Sequence, residues 1–198
     1  MRRLLAQILP AAFVAALVAA CGSTATGATA AASAAPSGLG SLAADASAWA
    51  TLAPSGEGFS LQMPSPPTKE TTSYETTLGP APASIWMCPR GAASGFYASH
   101  VSYPAGSLSA GDTKSVLDGA LKGGMATQKD ASVVEQADVT LAGHPGRTFT
   151  VTVTGGQIRG AVYLNGDEMY LLYAVYNPAD PAAVADVATF LASFRFTA

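Results

Sequence analysis

Charge is scarce in this chain. Asp, Glu, Lys and Arg supply only 12% of its 198 residues, and ten basic side chains stand against thirteen acidic ones. A nucleic-acid partner needs clustered Lys and Arg to displace the counterions of a phosphate backbone, so no nucleic acid is expected. Histidine and cysteine are equally sparse, with two of each, too few imidazoles and thiolates for a dedicated metal site. Motifs that carry chemistry are missing as well: there is no G-x-S-x-G, no S-x-x-K, no phosphate loop and no H-E-x-x-H. Gly38 to Ala43 spells a dinucleotide pattern, but no strand precedes it and no βαβ unit follows, so it is read as chance. No catalytic residue is therefore nominated, no cofactor is expected, and the reading is not an enzyme.

Long hydrophobic runs are absent too, with one exception. Residues 4 to 20 form an apolar run of 17 residues behind Met1-Arg2-Arg3. A basic start, an apolar stretch and small residues are the parts of a secretory signal. The run closes on Leu17-Val18-Ala19-Ala20-Cys21, and a cysteine directly after Val-Ala-Ala resembles the lipobox of bacterial lipoproteins. In that family the cysteine thiol receives a diacylglyceryl group, the signal is cut off before it, and the new amino terminus is often acylated. The resemblance implies lipidation of Cys21, removal of residues 1–20, and attachment to the cell membrane on its extracytoplasmic side. The alternative is an uncleaved transmembrane anchor, but 17 residues lie at the lower edge of the roughly 17–25 that span a bilayer, and Pro10 interrupts the run. Losing Arg2 and Arg3 with the signal leaves eight basic residues against thirteen acidic ones, a formal charge of −5. Lipidation would also use up Cys21 and leave Cys88 as a free thiol.

Residues 21–47 are the expected lipidated cysteine and tether. Ala, Gly, Ser and Thr dominate there, a composition that cannot bury a core. As a random coil of roughly 26 residues it would reach about 28 Å. A single domain is expected over 48–198. Trp49 and Leu52 read as a short lead-in, and 58–63, 69–77, 83–88 and 96–103 read as strands punctuated by Gly and Pro. Asp112 to Met125 reads as a helix capped by Asp112, with Val116, Leu117, Ala120, Leu121 and Met125 on one face. Strands follow at 133–141, 147–154, 157–164 and 168–176, the last three joined by Gly155-Gly156 and Asn165-Gly166 as an antiparallel meander. Asp180-Pro181 opens a final helix with Val184, Val187, Leu191 and Phe194 along one stripe. The fold class is thus α+β, an antiparallel twisted sheet flanked by helices.

Three short stretches carry a second resemblance. Phe59-Ser60-Leu61-Gln62-Met63-Pro64 with Pro67, then Pro145-Gly146-Arg147, then Phe190-Leu191-Ala192-Ser193-Phe194 together resemble the Mog1/PsbP-like superfamily across about residues 49 to 198. That likeness implies an α/β/α sandwich, frequently exported and frequently lipidated, with an accessory or binding role and no catalytic residue. The expected function is a lipid-anchored extracytoplasmic binding lipoprotein whose partner is an envelope protein. The alternative is a carrier of a lipid or other apolar molecule, which would need an apolar sheet–helix cavity of at least about 300 Å³.

Register nominates a surface. If both meander turns are two-residue loops at the places named, Thr154 faces Gln157 and Leu164 faces Asp167. Phe149, Val151, Val153, Ile158, Val162, Met169, Leu171, Tyr173 and Val175 then share an apolar core face. The opposite face collects Arg159, Tyr163, Glu168, Tyr170 and Tyr176, and Tyr and Arg are the residue types that dominate interface energetics. This is the candidate binding face; the alternative is that a helix covers it, with the Tyr hydroxyls reaching solvent at the rim and Arg159 paired with Glu168 or an aspartate. Cys88 and His100 are a formal Cys/His pair. If Cys88 lies opposite Phe96, however, His100 is four residues or about 13 Å along the strand, too far for proton transfer. They are read as a buried small hydrophobe and a strand histidine, and His144 as a turn residue.

Overall fold

The computed structural model describes residues 49–197, apart from 65, 77, 91–93, 126–127 and 129. The expected signal, Cys21 and the tether lie outside the described residues. Chain order begins with β1 (Trp49–Leu52), β2 (Phe59–Pro64), β3 (Thr68–Thr76), β4 (Gly79–Pro89) and β5 (Gly95–Ser102). A 3-10 turn at Ala110–Asp112 leads into α1 (Thr113–Met125). Then come β6 (Ser132–Leu141), β7 (His144–Val153), β8 (Gly156–Asn165), β9 (Glu168–Tyr176), α2 (Pro181–Ala192) and β10 (Arg195–Phe196). Seven strands form one sheet in the order β3-β4-β5-β9-β8-β7-β6, and β1-β2-β10 form a small second sheet. Every pairing is antiparallel.

Two cores explain why the central strands are apolar on both sides. On one face of the large sheet, Val116, Leu117, Ala120 and Leu121 of α1 pack on Phe149, Val151, Ile158 and Val162. On the other, Val187 and Phe190 of α2, Phe59, Leu61 and Met63 of β2, and Phe194 cover Trp86, Phe96, Tyr163, Tyr170, Leu172 and Tyr176. A strand buried on both faces must read as a nearly continuous apolar run, which is what Glu168-Met169-Tyr170-Leu171-Leu172-Tyr173-Ala174-Val175-Tyr176 does. The architecture is α+β and dominated by sheet. Of the outer layers expected from an α/β/α sandwich, one is a single helix and the other is shared between α2 and the small sheet, because β2 recruits β1 and the C-terminal β10 as partners.

Local chemistry corrects three expectations. Asp112 does not cap α1: its carboxylate reaches back to accept from the Ser109 amide (3.2 Å) and hydroxyl (2.6 Å), so the chain starts turning at Ala110 with Ser109 in the cap position. In the meander, Val153 faces Gly156 and Asn165 faces Glu168, so the turns are Thr154-Gly155 and Gly166-Asp167. Asp167 is held in its turn because its carboxylate accepts from the amides of Gly106 (2.6 Å) and Leu108 (2.8 Å) and its carbonyl from that of Tyr103 (2.9 Å). Both pairings are displaced by two positions from the expected ones, an even number, so the division into faces survives. Finally, β4 starts at Gly79 rather than at 83, paired with β3 from Gly79 to Met87.

Candidate functional site

The tyrosine face is not open. Arg159, Tyr163, Glu168, Tyr170 and Tyr176 do share one side of the sheet, but Tyr163, Tyr170 and Tyr176 are buried. Tyr163 stacks on Phe194 (5.4 Å between centroids, 1° between planes), and Tyr170 meets Phe59 (5.9 Å) and Phe196 (5.3 Å) edge-on. The Tyr176 hydroxyl donates to Gln157 Oε1 at 3.1 Å. The cover is β2, β10 and Phe194 as much as α2, since the second core needs this face to close. Arg159 alone of the five is exposed, and Glu168 is engaged elsewhere rather than with Arg159.

Glu168 belongs to a polar corner where the cover thins out. Ser84 of β4, His100 of β5 and Tyr170 of β9 lie in one cross-strand row, with Ser102 and Glu168 paired in the next row but one. Over them passes the β1–β2 connection, residues 53–58, which brings in Glu57. His100 is almost fully buried, its ring stacked on Tyr170 (4.8 Å, 17°). Its Nδ1 meets Glu57 Oε2, and its Nε2 lies 2.6 Å from Glu168 Oε2. Ser84 Oγ (2.8 Å) and Lys69 Nζ (3.1 Å) donate to the other oxygen of Glu57, and Ser102 Oγ donates to Glu168 Oε2 at 2.6 Å. Burial pushes the Glu57 carboxyl up, but hydrogen bonds from His100, Ser84 and Lys69 and the His100 charge outweigh it and hold the group below its usual range. Burial, with the Glu168 and Glu57 charges, pushes the Tyr170 hydroxyl up to about 12.

The chemistry this corner supports is charge pairing. An imidazole can donate from both nitrogens only when both carry hydrogen, so the two carboxylates together select the imidazolium. Both serine hydroxyls donate to carboxylates and neither to His100, so no nucleophile–base pair is set up. The carboxylates sit at opposite edges of the ring, and among the described residues no group of three or more His, Cys, Asp or Glu side chains converges on a metal position. Sequence reasoning singled out His100 and Glu168 separately and missed Glu57; its one signal is Gly56-Glu57-Gly58, a carboxylate between two glycines.

Other sequence-stressed residues lie apart from this corner. Cys88 is buried opposite Phe96, as read from the hairpin, and burial pushes its thiol up against the opposing pull of Arg90. His144 opens β7 and packs on Phe196 (4.4 Å). Arg147, nearly fully buried, lies between Asp138, reached by Nε at 2.7 Å, and Asp118 of α1. It floors an open groove of about 440 Å³ that also includes Lys114, Leu117 and Thr140. A second open groove, about 400 Å³, runs between β2 and the end of α2.

No protein-family model matches the chain, and no curated protein sequence does. Solved structures do. The solution structure of cyanobacterial PsbP (CyanoP) from Synechocystis sp. PCC 6803 aligns with a TM-score of 0.53 at 9% identity, over 76% of this chain and 94% of that one. The fold is PsbP-like. A crystal structure of PA94, a protein of unknown function from Pseudomonas aeruginosa, aligns at 12% identity over 70% of this chain and 89% of that one, with a TM-score of 0.36. Within the PsbP-like frame, the space under the C-terminal end of α1, bounded by Leu121, Met125, Phe149, Val151 and Ile158, amounts to about 10 Å³, a size that barely admits one water. Among the described residues, no helix is long and apolar enough to cross a membrane.

Proposed function

We propose that this chain is a lipid-anchored extracytoplasmic accessory lipoprotein whose PsbP-like domain binds another envelope component and performs no catalysis. The observation that carries the reading is the PsbP-like fold beside a lipobox-like start, Leu17 to Cys21. Two features of the domain support it. The polar corner pairs charges instead of activating a nucleophile, and the two larger grooves are open and lined in good part by polar and charged side chains such as Lys114, Asp138, Gln62 and Arg195, which suits surface binding better than enclosure of an apolar molecule. Trp49, where the described domain begins, packs on Phe96 (5.6 Å), at the far end of β5 from His100.

The test has two arms. Intact mass of protein extracted from membranes should show cleavage before Cys21 with added acyl mass, and Cys21→Ser should lose both. Wild-type protein without acyl mass would remove the anchor. Affinity capture with the full chain from solubilised envelopes should retain a defined envelope protein, and retention only of co-purifying lipid would overturn the binding role in favour of a carrier.

A further inference from the structure

We infer that Glu57, His100 and Glu168 form a pH-dependent latch, closing the 53–58 connection onto the large sheet while His100 carries hydrogen on both ring nitrogens and releasing it when one is lost. The two carboxylates differ in how they are held. Glu168 is the first residue of β9, fixed by pairing with Asn165 and Ser102. Glu57 rides on an exposed connection, and Gly56 (φ +78°) and Gly58 (φ +70°) on either side of it adopt left-handed backbone that other residues rarely take. A Cβ on Gly58 would come within 2.9 Å of the Tyr170 hydroxyl, so the closed connection lies tight against the ring that stacks on His100.

The remaining backbone ties of the connection are few. Glu57 N donates to Pro54 O within the loop (3.3 Å), and Gly58 O accepts from Thr197 N at its base (3.0 Å). The groups that face His100 are Glu57 from the connection, Glu168 and Tyr170 from β9, Ser84 from β4 and Ser102 from β5, with Lys69 of β3 acting through Glu57. When the ring loses a proton, one nitrogen turns a lone pair towards a carboxylate oxygen, and attraction becomes repulsion. The backbone of Glu168 is held by its ladder and its carboxylate by Ser102 Oγ, so the exposed connection that carries Glu57 is the part that lifts away. The sign follows from the geometry: the latch holds while both ring nitrogens donate and opens at higher pH, where one of them no longer can. At the acid end it opens again when Glu57 loses its charge, which its depressed carboxyl delays.

Nuclear magnetic resonance of the ¹⁵N-labelled full chain tests this. Between about pH 5.5 and about pH 8.5, backbone order parameters of residues 55–57 should fall from the rigid range of about 0.85 to below about 0.6, with the midpoint of the His100 ring Cε1 shift. His100→Gln, which keeps a donating NH₂ and an accepting carbonyl but takes no charge, should abolish the transition, and Glu57→Gln should leave the connection loose throughout the range. The inference is overturned if residues 55–57 stay rigid while the His100 ring titrates, if the transition persists in His100→Gln, or if Glu57→Gln keeps the connection ordered.

Discussion

Replacing Gly160 by alanine should cost far more than a methyl group ordinarily does. Gly160 lies mid-β8, directly opposite Phe149 of β7 and Tyr173 of β9. A Cβ there would sit 2.4 Å from the Leu172 carbonyl oxygen, 2.6 Å from Phe149 Cζ and 2.8 Å from Tyr173 Cβ. Leu172 O and Tyr173 Cβ are backbone or one bond from it, in a strand paired on both sides. Only the Phe149 ring can swing, and it is itself buried under α1. Ala would gain about 0.4–1 kcal/mol through a less flexible unfolded chain, whereas overpacking a close-packed site costs about 1–3 kcal/mol. With all three contacts below 3.0 Å the upper end applies, for a net loss of about 2 kcal/mol or more. Urea unfolding should show the midpoint lowered by about 1 M or more with an unchanged slope. Adding Phe149→Leu should recover part of the loss, a coupling expected only between groups in contact. An unchanged or raised midpoint in Gly160→Ala would refute the packing described for this strand.

Three further outcomes are expected. Ala142 holds φ +51° beside Gly143 at +85° in the β6–β7 turn, a conformation that asparagine tolerates and alanine does not, so Ala142→Asn should stabilise by about 0.5–1 kcal/mol in thermal unfolding; a lower transition temperature would contradict it. The hydrogen bond from Arg147 holds the Asp118 carboxyl below its usual range, so its contribution is present above the unfolded value of about 3.9 and is lost as pH falls through the folded one. Because the Asp118 side chain is more than a third exposed, Asp118→Asn should cost at most about 1 kcal/mol at neutral pH, and the difference from wild type should vanish in acid; a gap that persists at low pH would assign the loss to something other than charge. Cys88, buried and with its thiol pushed up by burial, should react with a maleimide only after denaturation, and rapid labelling of native protein would contradict its placement.

How much of this fold could be read beforehand depended on the range of the interaction that encodes each part. Alternation in Phe149, Val151 and Val153 and the period of Val116, Leu117, Ala120 and Leu121 are local signals, and the corresponding elements stand where they were expected. The division of β7, β8 and β9 into faces survived an error in both turns because parity alone decides it. The β8–β9 turn slipped because Asp167 answers to the amides of Gly106 and Leu108, about sixty residues away in sequence, and not to the Asn-Gly pair beside it. The tyrosine face failed for a related reason. Tyr163 and Tyr170 carry the same hydroxyl whether they line a groove or brace a second core, and what covers them is Phe59 from the start of the domain and Phe194 from its end.

The polar corner was harder still, since its members are 43 and 68 residues apart from His100. Adjacency of β5 to β9 brings His100 beside Glu168, and that pairing skips three strands of the sequence order. Glu57 arrives on a connection with no periodicity of its own. Nothing in a strand pattern marks a histidine flanked by Ser99 and Val101 as the holder of two carboxylates. The burial that a β5 position at the sheet's centre imposes does mark it, because an imidazole placed there must find partners for its nitrogens. Once the strand order is known, a buried histidine two rows from Glu168 obliges a second acceptor to arrive from outside the sheet. Of the neighbouring segments, the connection between β1 and β2 supplies it, with a glycine on each side of the carboxylate to let the chain come down.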